Sequence, residues 1–262
     1  MKGLDLSFSQ PTQAWWNKRY AEGYRVMVQD AWTGVISSAP MLINLNRART
    51  AGFITAAYVV VNQLPGATSV GWARNACGAE WDYLNFVAVD VEVSTTVEAV
   101  RGALAEIRRL GKKPCIYSSK HSWGVVGNTT LFKTEWLWNA YYDGDPDFDF
   151  FLNPYGGFTK LAGEQYQGTT NFDGYSVDMN NFSAAFIEEG QPMAMTDAEF
   201  LAALQRILRD PVKAASLGLD NTLIGRSNLK DYIAAVADSK VKAHAAVTVT
   251  VGLKRGDTVT LT

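Results

Sequence analysis

The chain is poor in the residues that metal and thiol chemistry need. Its 262 residues include two cysteines, Cys77 and Cys115, and two histidines, His121 and His244. The histidines lie far apart and share no ligand spacing, so neither a zinc site nor any other metal is expected. A Ser-His or Cys-His catalytic pair has no support either. Cys115 falls in an apolar strand-like run, where a free thiol usually acts as a small buried hydrophobe. A Cys77–Cys115 disulfide stays open, because pairing depends on geometry that spacing does not reveal. An excess of charge is also missing. With 24 basic and 26 acidic residues the net charge is −2, and no basic face advertises nucleic acid as a partner. No apolar stretch reaches the ~18 residues a membrane helix requires. The chain opens on strand-like sequence, with no basic and apolar leader, so neither a membrane partner nor an encoded signal peptide is expected.

What is present describes a globular protein, 47% hydrophobic and 19% charged. Apolar runs of strand length recur at Lys2 to Phe8, Tyr24 to Gln29, Phe53 to Val61, Leu84 to Val93, Lys113 to Ser118, Trp136 to Tyr142, Leu161 to Gln167 and Tyr175 to Asn180. Helical segments fall between several of them. Gln10-Pro11-Thr12 opens one bearing Trp15 and Trp16, Leu45 to Ala51 ends at Gly52, a weak one spans Asn75 to Tyr83, and Thr95 to Leu110 carries Val97, Val100, Leu104 and Ile107 at helical spacing. Strands alternating with helices predict an α/β fold with a parallel sheet. Eight strands and few helices fit an irregular (β/α) TIM-like barrel, with a doubly wound open sheet as the competing architecture. No G-x-G-x-x-G follows the first strand, which weakens the nucleotide-binding version and the need for a cofactor.

The feature that organises this barrel is Asp90-Val91-Glu92 at the end of the fourth strand. Strand residues two apart face the same way, so both carboxylates project together beside apolar neighbours. Repulsion and desolvation then push their pKa values apart, leaving one protonated and one ionised, as acid-assisted cleavage of a glycosidic bond requires. In a barrel the site lies at the carboxyl ends of the strands. Asp5 and Asp178 then join Asp90 and Glu92 in one acidic cleft.

These residues resemble the glycoside hydrolase family 25 muramidases, the Chalaropsis-type lysozymes, over roughly Lys2 to Glu188. Gly3-Leu4-Asp5-Leu6-Ser7 is similar to the family's opening strand, Ala51-Gly52-Phe53 through Tyr58 to its third, and Asp90-Val91-Glu92 to its D-x-E signature. Ile116-Tyr117-Ser118 with Trp123, Leu137-Trp138-Asn139-Ala140-Tyr141-Tyr142, Gln165-Tyr166 and Gly174 through Val177-Asp178-Met179-Asn180 to Phe182 follow in the family's order. Two segments depart from it. Gln29-Asp30-Ala31-Trp32 replaces a Lys-[AS]-[ST]-Glu pattern, and Tyr58-Val59-Val60 replaces Tyr-His-Phe. The resemblance implies hydrolysis of the β-1,4 bond between N-acetylmuramic acid and N-acetylglucosamine in bacterial peptidoglycan. It makes Glu92 the general acid and Asp90 the ionised stabiliser, with Asp5 and Asp178 positioning substrate or water. Tyr58, Tyr117, Trp138, Tyr142, Gln165, Tyr166 and Asn180 would line the cleft. The alternative is a non-catalytic wall-binding or virion structural protein on the same scaffold.

Gln191-Pro192 marks a boundary between this barrel, residues 1–190, and a small α+β module, residues 191–262. There a capping pattern at Thr196 to Glu199, a helix from Leu229 to Val241 and a hairpin through Lys254-Arg255-Gly256-Asp257 are expected. About 70 residues make a thin core, so this module is expected to pack on the barrel, to bind wall polymer, or to associate with copies of itself as a homo-oligomer, the unpaired edges of a hairpin favouring the last. Without a leader, a phage endolysin or virion-associated lysin acting at the cell wall is the expected setting.

Overall fold

A computed structural model describes residues 1–189, apart from 149, 151 and 152. The expected C-terminal helices and hairpin lie outside the described residues. Eight strands close into a barrel in chain order: β1 Lys2–Leu6, β2 Val26–Trp32, β3 Ile54–Val60, β4 Phe86–Asp90, β5 Lys113–Ser118, β6 Trp136–Ala140, β7 Lys160–Phe172 and β8 Tyr175–Phe182. Their side chains alternate between two apolar layers. Val26, Val28, Ala56, Phe86, Ala88, Cys115, Trp138 and Phe182 fill the barrel interior. Met27, Ala57, Val87, Val89, Ile116 and Leu137 face the other way. Phe182 closes the interior at its lower end. A Cβ at Gly3 or Gly163 would meet its ring at 2.5 or 2.7 Å, so both strands need glycine where they cross it.

Outside the barrel lie α1 Gln13–Ala21, α2 Met41–Thr50, α3 Gly66–Cys77, α4 Val97–Arg109 and the short α5 Ala184–Glu188. Thr12 Oγ1 caps α1 by accepting from the Trp15 N–H at 3.3 Å, and Thr96 Oγ1 caps α4 by accepting from Ala99 N–H at 3.1 Å. The stripe Val100, Ala103, Leu104 and Ile107 buries α4. Its neighbour α3 packs so closely that a Cβ on Gly66 would sit 1.9 Å from the Ala99 carbonyl oxygen.

The barrel departs from the sequence reading at several points. The sheet is not all parallel, since β8 runs antiparallel to both β7 and β1. Asp173 and Gly174 turn β7 into β8 with φ of 52° and 87°, the positive pair that a tight hairpin needs. The helix expected over Asn75 to Tyr83 is instead α3, ending at Cys77, followed by a 3-10 turn over Gly78–Tyr83. Gly66 and Gly71 interrupt the helical pattern of α3, and its contact with α4 overrides that weak propensity. β4 stops at Asp90 and β2 continues to Trp32. Both cysteines are free and buried, Cys77 beside Met41 with its sulfur 3.5 Å away and Cys115 inside the barrel. No helix of the described residues is long and apolar enough to cross a membrane.

Candidate active site

The carboxyl ends of the parallel strands form an acidic mouth above the apolar interior. Alternation along each strand carries the inward face upward: Gly3 to Asp5 on β1, Val28 to Asp30 on β2, Ala56 to Tyr58 on β3, Ala88 to Asp90 on β4 and Cys115 to Tyr117 on β5. Asp178 reaches the same level for a different reason. β8 runs antiparallel, so its first half lies at the mouth, and Asp178 pairs directly with Asp5 across the sheet.

A hydrogen-bond network fixes the floor. Trp138 Nε1 donates to Asn180 Oδ1 at 2.8 Å, and Asn180 Nδ2 donates to Asp5 Oδ2 at 2.7 Å. Gln165 Nε2 donates to Asp5 Oδ2 at 2.7 Å and to Asp178 Oδ2 at 3.1 Å. The Tyr117 and Tyr142 hydroxyls both donate to Gln165 Oε1 at 2.7 Å, which settles the orientation of that amide. Asp178 Oδ1 also accepts from the Thr169 backbone N–H at 2.5 Å.

Among the described residues no lysine or arginine forms a salt bridge with these acids. Burial and mutual repulsion therefore govern their protonation. Burial, then Asp178, raises Asp5 to about 8 against the pull of its two amide donors. Burial, then Glu92, Asp30 and Asp5, holds Asp90 well above the usual carboxylate range. Partial burial and Asp178 raise Glu92, while the Tyr117 hydroxyl beside it lowers it. Asp178 is raised by burial. These directions revise the expected division of labour. Asp90 was to stay ionised, but it is 5% exposed and its Oδ1 has no partner, so the free site favours its neutral form. Glu92 lies just past the end of β4 and is the most exposed acid of the cluster, with Asp178 half-buried and Asp5 and Asp90 buried.

The structure brings Asp5, Asp90, Glu92, Asp178, Tyr58, Tyr117, Tyr142, Gln165 and Asn180 together. Two predicted residues stand apart. Trp138 is 1% exposed and packs against Tyr117 and Phe182 at 4.6 and 5.4 Å, so it braces Asn180 from below and offers no ring face. Tyr166 follows Gln165 on β7 and turns away from the mouth, where it neighbours Tyr24. One inward acid was missed. Asp30 belongs to β2, is 3% exposed and hydrogen-bonds the Tyr58 hydroxyl. Its signal is the alternation Val26, Val28, Asp30, which a strand ending at Gln29 hides. No set of three or more His, Cys, Asp or Glu among the described residues is arranged to hold a metal ion.

No family model matches the chain. Over 174 residues it is 29% identical to the Dictyostelium discoideum protein named Probable GH family 25 lysozyme 3, a match covering 60% of this chain and 36% of that protein. It is 34% identical over 110 residues to Counting factor 50 of the same organism, covering 38% of this chain and 36% of that one. The match thus spans about a third of each relative's length. Among solved structures, the muramidase from Acremonium alcalophilum superimposes with a TM-score of 0.59 at 19% identity, covering 72% of this chain and 99% of that one. A family 25 glycosyl hydrolase from Bacillus anthracis gives 0.54 at 14% identity, covering 73% and 94%. The fold is that of the family 25 muramidases. The sequence resembles their D-x-E motif and the strands around it, and the barrel places Asp90 and Glu92 at its mouth.

Proposed function

We propose that this barrel is a glycoside hydrolase that cleaves the β-1,4 bond between N-acetylmuramic acid and N-acetylglucosamine in peptidoglycan. The observation that carries the reading is the uncompensated acidic mouth, with Glu92 exposed at its rim and Asp90 buried beside it. Its likeness to muramidases in sequence and fold supports it.

Glu92, its pKa raised by partial burial and Asp178, protonates the leaving glycosidic oxygen. Positive character then develops at the sugar. Burial disfavours the ionised form of Asp90, Asp5 and Asp178, and positive charge appearing beside them favours it, so the three oppose that charge more strongly in the transition state than in the ground state. Tyr117 and Tyr142 anchor Gln165, which holds Asp5 and Asp178 in register. Tyr142, 61% exposed, offers a ring face to a sugar. The protein then acts at the bacterial cell wall, as an endolysin or virion-associated lysin. Residues 191–262 make up a separate wall-binding or self-associating module.

The test is release of reducing sugar from purified peptidoglycan. Wild type is expected to release it, and Glu92→Gln is expected to lower the rate by roughly 10²- to 10⁴-fold. Equal rates in both would remove Glu92 from the acid's role. Walls that sediment with the protein uncleaved would favour the binding-scaffold alternative.

A further inference from the structure

Asp30 is the one acid of the mouth with no place in the scheme above. It sits on the inward face of β2 in register with Tyr58 of β3, and Asp90 follows on β4, so Tyr58 stands between two acids. The Tyr58 hydroxyl lies between the Asp30 carboxyl on one side and the Ser7 side chain, just past the end of β1, on the other. The Trp32 backbone N–H also faces the Asp30 carboxyl and favours its ionised form. Even so, Asp30 Oδ1 is buried without a partner, and so is Asp90 Oδ1. Two orphaned carboxylate oxygens in one pocket are costly unless a proton or a donor is held there. A residue serving only the fold would have no reason to put a fifth acid beside four others.

We propose that Asp30 is a positioning residue of this site: it fixes the Tyr58 hydroxyl and, with its own charge, sets the protonation state in which the neighbouring Asp90 works. The inference rests on the hydrolase reading for its purpose, but the coupling it describes can be measured without turnover. The groups that bear on it are Tyr58 from β3, Asp90 from β4, Glu92 just past β4, which acts on Asp90 more strongly than Asp30 does, and Asp5 from β1, which acts on both Tyr58 and Asp90. Burial raises Asp30 to about 7, so its charge changes within the range where such an enzyme would operate. When Asp30 is ionised it disfavours a second anion at Asp90; when neutral it releases Asp90 to ionise. Tyr58 tunes the switch, because its hydrogen bond favours the ionised form of Asp30.

The experiment is a pH titration of ¹³C-labelled aspartate carboxyls in the full chain, paired with the pH profile of kcat/KM on peptidoglycan. Asp30→Asn keeps the shape and removes the charge. It is expected to lower the Asp90 midpoint by roughly one pH unit, with the limb of the rate profile governed by Asp90 moving the same way. A merely structural role would lower the melting temperature and leave the Asp90 midpoint in place, and that result overturns the proposal. Should Asp30→Asn fail to fold, Tyr58→Phe carries the test: it is expected to raise the Asp30 midpoint, and an unmoved midpoint overturns the proposal equally. A displaced Asp90 midpoint in a protein that releases no reducing sugar supports the coupling and strikes only the hydrolase reading.

Discussion

Two regions of this molecule concentrate charge, and they treat it in opposite ways. At the tip of the β7–β8 hairpin, Asp173 Oδ2 lies 2.7 Å from both Lys18 Nζ and Arg19 Nη2, and Glu22 adds a second carboxylate 3.1 Å from Arg19. The Arg19 guanidinium lies 3.9 Å from the centre of the Phe172 ring, and Trp15 packs edge-on against Phe172 and Tyr175. Every acid there has a cation, and the lysine beside Asp173 holds its carboxyl below the usual range. At the mouth, five acids converge on apolar surroundings with no lysine or arginine paired to them among the described residues, and burial moves all five the other way. The clamp serves the fold. The mouth works against it, which is what a site kept for chemistry looks like.

This contrast can be broken by substitution on either side. The largest effect belongs to the mouth and is on rate, the loss expected for Glu92→Gln. At the clamp the effects fall on stability. Arg19→Ala removes a guanidinium packed over rings and is expected to cost about 1–3 kcal/mol, read as a lower melting temperature with the rate per folded molecule retained. A large loss of turnover there would mean the hairpin and the mouth are not separate. The smallest effect is expected at Asp173→Asn. A lowered pKa means its contribution is present above about pH 4 and lost as pH falls through the folded value. The melting temperature should therefore drop slightly at pH 7, less at high salt, and by progressively less as the pH falls below about 4.

The mouth was more legible than the clamp. Asp5, Asp90, Glu92 and Asp178 stand in strand-like runs that have no structural use for them, and that mismatch is visible without coordinates. Asp178 was placed at a strand's carboxyl end and reaches the mouth by antiparallel pairing, a topology that alternation does not encode. The clamp is invisible in the sequence, because Lys18 and Arg19 lie about 155 residues from Asp173 and meet it only when β7 runs on to Phe172. Its irregular register, shifting between Gln165 and Gln167 and again before Thr170, left no periodic signal. Asp30 was lost for a smaller reason: Thr33-Gly34 signals a turn strongly enough that the strand was ended early.

The central claim is that the mouth's acids are held at the expense of stability for the sake of chemistry. Asp5→Asn tests it most directly, with stability and activity measured on the same sample. Asp5 binds its proton up to about 8 in the folded chain but only to about 4 when unfolded, so stability falls as pH rises between those values. The amide cannot ionise and escapes that loss. The account predicts that Asp5→Asn is more stable than wild type at pH 8, on the order of a few kcal/mol, with little difference at pH 4 and reducing-sugar release sharply reduced at both. A variant that is less stable at pH 8 yet still cleaves peptidoglycan would contradict it.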